Sequence, residues 1–250
     1  MTDLEIPIGK RTRAYRFFEM LPAIVSYGSI VLLIVLSVFN PLIAAAYLLA
    51  IIITTLVKAV GIAYHTTTGR DHLERAQQVN WGNRLGQLED PVKNLSVDSL
   101  SHRGEFEHEL HLANLKDIVA NPDGYPKPSQ IYNAVIIATY NESYEILQPT
   151  IQSLLDTTYD KSHMIVVLAY EERGGKAIDE TVYKLEEEFR GNFKDLLLVK
   201  HPSDLPNEVR GKGGNITYAG FFLKDWLNDH KIKYENVIVT TLDADNRTYP

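Results

Sequence analysis

The chain has 250 residues, 45% of them hydrophobic and 23% charged, enough to bury a sizeable core as one large domain with an appendage. Its formal net charge of -7 and pI near 5.6, with no basic aromatic stripe, exclude a general electrostatic attraction for nucleic acid, and no nucleic-acid partner is expected. The absence of cysteine excludes disulfides, a thiolate nucleophile and cysteine metal ligands.

Residues 1–19 form a basic N-terminus carrying Lys10, Arg11, Arg13 and Arg16. Leu21 to Phe39 is then almost wholly apolar, and after Asn40-Pro41 the apolar character resumes and continues to Tyr64. Each run is close to the roughly 20 residues that a helix needs to cross the hydrocarbon core. Pro41 is suited to the first position of a second helix, so residues 20–64 are expected to form a transmembrane hairpin in the lipid bilayer. A cleaved signal peptide is the weaker reading, because the apolar stretch runs straight through Ala44-Ala45-Ala46. A buried soluble hairpin is also weaker, although both runs nearly lack a polar face. Basic residues precede the first span and follow the second at Arg70 and Arg75, while the turn has none. Both ends are therefore expected in the cytoplasm, making this an integral protein of the inner or plasma membrane. Lys58 reads as an anchor whose long side chain reaches the headgroups.

Residues 65–129 read as a polar, partly helical linker or membrane-surface region. Arg70 to Glu89 is compatible with one helix; Phe106, Leu110, Leu115 and Ile118 suggest a second, stopped by Asn121-Pro122-Asp123-Gly124. His102, His108 and His111 lack the His-x-x-x-His spacing of a helical metal pair and are expected to be solvated or capping. Pro126-Lys127-Pro128-Ser129 reads as a linker.

From residue 130 to 250, apolar strands alternate with helical patterns. Strands are expected at Ala134–Ala138, Met164–Ala169, Leu196–Val199 and Val237–Leu242, with helices at Pro149–Asp156, around Ile178 to Phe189, and at Asn215–Leu227. Such alternation predicts an α/β fold with a mostly parallel sheet and flanking helices. Ligands of such sheets gather outside the carboxyl ends of the strands. Tyr140-Asn141-Glu142, Glu171-Glu172 and Asp243-Ala244-Asp245 all fall at such ends. Asp243 and Asp245, at alternate positions leaving a strand, can aim at one hard cation able to carry a diphosphate; taken alone they read first as solvated turn carboxylates, and it is their convergence with the other strand ends that favours a site. Gly211-Lys212-Gly213-Gly214 reads as a flexible loop able to approach phosphate. It is not a Walker A loop, since Pro206 stands at the first glycine position and Gly213 replaces Ser or Thr.

Taken in order, Val135-Ile136-Ile137-Ala138-Thr139-Tyr140-Asn141-Glu142, Leu154-Leu155-Asp156-Thr157-Thr158-Tyr159, Gly211-Lys212-Gly213-Gly214-Asn215 and Leu242-Asp243-Ala244-Asp245 resemble the family 2 glycosyltransferases, in particular membrane-bound synthase-like members. The resemblance covers Ile131 to Pro250. It implies a GT-A fold in which Thr139, Tyr140, Asn141, Glu142, Glu171, Glu172, Lys212, Asp243 and Asp245 bind a nucleotide-sugar, usually a UDP-sugar, and Asp243 and Asp245 hold Mg2+ or Mn2+. It also implies inverting transfer of a hexosyl group to a glycan or lipid acceptor. Two departures stand out: Ala169-Tyr170-Glu171-Glu172 replaces an Asp pair that reads the base, and Thr217 lies near where relatives often carry Asn. The family's general base and acceptor motif lie downstream of the Asp-x-Asp. They are expected beyond Pro250, and the chain as given is expected to bind donor without efficient turnover. The alternative is a membrane-tethered nucleotide-sugar binding module without catalysis. A metal-dependent nucleotidyltransferase is weaker, because its glycine-rich loop would follow the first strand.

The charge distribution makes a topological prediction: reporter fusions at Asn40 give an external signal and fusions at Ser129 a cytoplasmic one. A cytoplasmic signal at Asn40 contradicts the hairpin.

Overall fold

The structure, a computed structural model, describes residues 12–95, 104–205 and 211–248. The chain divides into two compact units: Met1–Val79 with Gly104–Glu107, and Asn80–Arg103 with His108–Pro250.

In the first unit, helices α1 (Arg13–Phe39) and α2 (Pro41–Gln77) pack against each other. Asn40 breaks them with extended backbone, and its Oδ1 accepts from the amides of Leu42 at 3.1 Å and Ile43 at 3.4 Å. Pro41 starts α2 where a missing N–H costs nothing. No residue of α1 is buried, and only Ala44 is in α2. Both helices are long and apolar enough to cross a membrane. Apolar side chains exposed all round suit lipid rather than water, which supports membrane association.

Tyr64 does not end α2. The helix continues through residues 65–77, where Arg70 and Glu74 pair one turn apart at 2.7 Å, and breaks only at Gln78. Arg70 to Glu89 is therefore two segments rather than one helix: Asn80 caps α3 (Trp81–Glu89) by accepting from the Asn83 amide at 2.9 Å. Phe106 belongs to the first unit, edge-on to His72 with Arg75 over its ring.

In the second unit, α4 (His108–Ala120) buries His108, His111, Leu112 and Leu115, whereas Leu110 is exposed. The expected apolar stripe is thus rotated, and the two histidines are buried rather than solvated. His111 Nε2 lies 2.7 Å from Gln87 Oε1 and ties α4 to α3; His102 lies outside the described residues. Nor is the segment before the sheet a free linker. Ser129 donates its amide and hydroxyl to the Glu89 carboxylate at 2.9 and 2.7 Å, which lowers the Glu89 pKa. The compact unit that holds the sheet thus also takes in the chain from Asn80.

The rest of this unit alternates as expected: β1 (Tyr132–Thr139), α5 (Tyr144–Leu155), β2 (Met164–Glu171), α6 (Gly175–Phe189), β3 (Asp195–His201), α7 (Lys212–Asp229) and β4 (Val237–Asp243). The sheet is four-stranded and wholly parallel, in the order β3-β2-β1-β4. Val135, Ile137, Val166 and Leu168 face Leu147, Ile151, Val182 and Leu185 of α5 and α6 on one side. Ala134, Ile136, Ile165 and Val167 face Ala219, Leu223 and Leu227 of α7 on the other. Coverage of both faces explains the continuous apolar runs of β1 and β2.

Three expectations change. Helix α5 starts at Tyr144, so Pro149 lies in its interior rather than its first turn. Helix α7 starts at Lys212, so Gly213 and Gly214 are helical and only Gly211 lies before it. Strand β4 is not buried: Ile238 is 58% and Val239 53% exposed, and only Val237 and Leu242 at its ends pack into the two cores. Its apolar run reads as buried, but β4 is the sheet edge and pairs with β1 alone among the described residues.

Candidate functional site

The carboxyl end of β1 is organised by Glu142. One carboxylate oxygen accepts from Thr139 Oγ1 at 2.5 Å, the Tyr140 amide at 2.7 Å and the Asn141 amide at 3.1 Å, closing the strand-to-helix turn. Burial alone would raise the Glu142 pKa, but these hydrogen bonds favour the anion and outweigh it, so the net direction is downward. Tyr140 is left 43% exposed with the Arg173 guanidinium 5.2 Å from its ring centre. Gly174 makes this approach possible, because a Cβ there would run into the Tyr140 carbonyl and lie 2.7 Å from Ile178 Cγ2.

At the end of β2 the two glutamates diverge. Glu171 is buried and ion-paired with Arg173, whose Nε lies 2.7 Å from Oε2 and whose Nη2 also contacts it. Glu172 turns to the chain after β3, where the Ser203 amide and hydroxyl both donate to it at 2.9 Å. Those two bonds, the amide's first, hold the Glu172 pKa below its ordinary value.

The Asp-x-Asp after β4 is anchored through its middle residue. Ala244 is buried, and its carbonyl accepts from Thr150 Oγ1 at 2.7 Å. Farther on, the Thr248 amide donates to Ser153 Oγ at 3.0 Å and the Thr248 hydroxyl to the Ser153 carbonyl at 2.8 Å. With the loop fixed to α5, Asp243 and Asp245 are both exposed. Asp243 forms an ion pair with Lys212, the first residue of α7. Gly211 precedes it at φ +152, a conformation that favours glycine. Gly213 and Gly214 leave the first turn of α7 without bulky side chains, and amides there lack intrahelical partners. Asn215, 1% exposed, donates through Nδ2 to the carbonyls of Thr139 at 3.2 Å and Ala169 at 3.0 Å, joining α7 to the ends of both central strands. Among the described residues, its buried Oδ1 has no hydrogen-bond partner.

Thr139, Tyr140, Glu142, Glu171, Lys212, Asp243 and Asp245 line one open cleft of about 420 Å³, together with Ile146 and Asn215. Asn141 and Glu172 do not line it. Sequence reasoning missed Asn215 and Arg173 as site residues. A signal existed for the first: Asn215 falls on the same one-turn stripe of α7 as Ala219, Leu223 and Leu227, a polar residue where burial demands partners. Among the described residues, no three His, Asp or Glu side chains gather into a metal site. No family model matches the chain, and no curated protein matches it.

Because the folded-state pKa of Glu142 is lowered, its stabilising effect is present above the ordinary value of 4.5 and is lost as pH falls through the folded value. Thermal unfolding in detergent, followed from about pH 7 to about pH 3.5, therefore shows wild type more stable than Glu142→Gln at neutral pH, with the gap closing below the ordinary carboxylate range. A gap independent of pH contradicts the assigned role.

Proposed function

We propose that the α/β unit binds a nucleotide-sugar, a UDP-sugar foremost, and transfers its hexosyl group to a glycan or lipid acceptor. In this reading it is a membrane-anchored glycosyltransferase of the GT-A, family 2 kind that its motifs resemble. The observation that carries the proposal is the convergence in one cleft of side chains from the ends of β1, β2 and β4 with the start of α7. Binding at the carboxyl ends of parallel strands is the general rule for such sheets.

Tyr140, exposed and flanked by Arg173, offers a face for the base, with Glu171 beside it as a hydrogen-bond acceptor. Lys212 and the first-turn amides of α7 suit the diphosphate. Asn141 and Glu172 hold the surrounding turns in place. Asp243 and Asp245, both exposed on one anchored loop, would hold a hard divalent ion such as Mg2+ or Mn2+. Bound there, it would supply positive charge against the negative charge that grows on the departing nucleoside diphosphate.

In the proposed transfer, the acceptor hydroxyl attacks the anomeric carbon opposite the leaving group. The bond to the nucleoside diphosphate breaks, and the hydroxyl proton passes to a carboxylate base. Glu142 and Glu171 are poorly suited to that last role, being occupied by the β1 turn and by Arg173 respectively. Their engagement favours, as a second reading, a membrane-tethered nucleotide-sugar binding module without turnover.

Titration of the purified chain with UDP-, GDP- and other nucleotide-sugars, in Mn2+ or in EDTA, tests the shared core of both readings. UDP-sugars bind in Mn2+. Asp245→Ala weakens that binding by about tenfold or more, the scale of changes made around a metal, and Asp245→Asn weakens it less because it keeps a coordinating oxygen. Equal affinity in Mn2+ and EDTA contradicts the metal role, and glycoside formation with added acceptors separates enzyme from module.

A further inference from the structure

Lys212 and Asp243 form an ion pair inside the cleft although each has a different partner in the ligand-bound arrangement proposed above. Both side chains are well exposed, at 50% and 55%, so the pair contributes little to holding the fold. Its effect falls on the cleft instead. It places an ammonium on one of the two carboxylates available to a cation, and it ties up the one lysine at the start of α7, next to amides suited to phosphate. One turn along the same helix, Asn215 lines the cleft, and among the described residues its buried Oδ1 has no hydrogen-bond partner, an unsatisfied polar group beside the ion pair.

We propose that Lys212 is an internal counter-ion that exchanges: in the empty cleft it neutralises Asp243, and when a divalent cation and a diphosphate enter together it passes from Asp243 to the diphosphate. The inference rests on the diphosphate reading of the cleft. Either ligand alone meets an obstacle. A cation arriving alone must displace the ammonium from Asp243; a diphosphate arriving alone faces Asp243 and Asp245 and a lysine already paired. Arriving together, they leave each charge with an opposite partner: cation with the aspartates and phosphates, lysine with the phosphates. The result is positive coupling, in which each ligand raises the affinity for the other by the same factor. Asp245, one residue beyond the buried Ala244, is the initial foothold for the cation because Lys212 does not hold it in the structure.

The test uses the full chain in detergent micelles with Mn2+ and inorganic pyrophosphate as probes, bound Mn2+ being read from the loss of the free-ion electron paramagnetic resonance signal. Protein-free Mn2+ and pyrophosphate mixtures serve as the reference. In Mn2+ alone, Lys212→Met binds about two- to fivefold more tightly than wild type, the scale of an exposed ion pair removed from competition. Lys212→Arg, which keeps the charge, follows wild type. Pyrophosphate tightens Mn2+ binding to wild type by about tenfold and to Lys212→Met by less. Unchanged or weaker Mn2+ binding by Lys212→Met, with binding still lost in Asp245→Ala, overturns the exchange and leaves the cleft reading intact. Mn2+ binding that ignores Asp245→Ala overturns the cleft reading itself, and the exchange with it.

Discussion

The parallel pairing of β1 with both β2 and β4 is the constraint on which the site depends. Ala138 is in register with Ala169 on one side and with Asp243 on the other. Neighbouring strands lie about 4.8 Å apart, so the chain ends leaving β1, β2 and β4 emerge within about 10 Å of one another across the sheet. Residues as distant in sequence as Tyr140, Glu171 and Asp245 consequently share a cleft. Asn215 reinforces the pairing, its one amide group donating to the carbonyls of Thr139, the last residue of β1, and Ala169, two residues before the end of β2.

Gathering carboxylates at one end of a sheet is electrostatically unfavourable, and each is handled differently. Glu142 is absorbed by backbone amides and a hydroxyl, Glu171 by Arg173, Glu172 by Ser203, and Asp243 by Lys212. The first three arrangements shape turns and strand ends, and breaking them would leave a charge without its hydrogen bonds. The fourth joins two exposed groups and can change partners at small cost. In the cleft the tightly held Glu142 and Glu171 thus lie beside the exposed Lys212–Asp243 pair. The Asp-x-Asp loop is anchored by the neutral neighbours Ala244, Thr150, Ser153 and Thr248, and its carboxylates take no part in that anchoring.

Much of this organisation is legible in the sequence. The apolar hairpin and its break at Asn40-Pro41 and the order of strands and helices follow from local patterns that the structure reproduces, and seven of the nine strand-end and loop residues line one cleft while Asn141 and Glu172 do not. What escapes is set by distant partners or by what covers a surface. Glu171 and Glu172 are adjacent and chemically alike, yet one finds Arg173 and the other Ser203, 31 residues away. Ser129 reads as linker until Glu89, 40 residues earlier, is seen to hold it. The β4 run opens with Val237-Ile238-Val239 as a buried strand would, and that local pattern does not say that it lies at an edge. The glycines after Gly211 suggest a loop by propensity, but burial of Asn215, Ala219 and Leu223 draws them into a helix.

The proposed function requires a nucleotide diphosphate and a cation to meet at the carboxyl ends of β1 and β4. Anomalous X-ray scattering at the manganese edge, from crystals of the chain grown with UDP and Mn2+, locates both. The account predicts one manganese peak bonded to Asp245 and to the diphosphate, with the base against Tyr140. Nucleotide bound away from this cleft, or in it with no manganese at the aspartates, would contradict it.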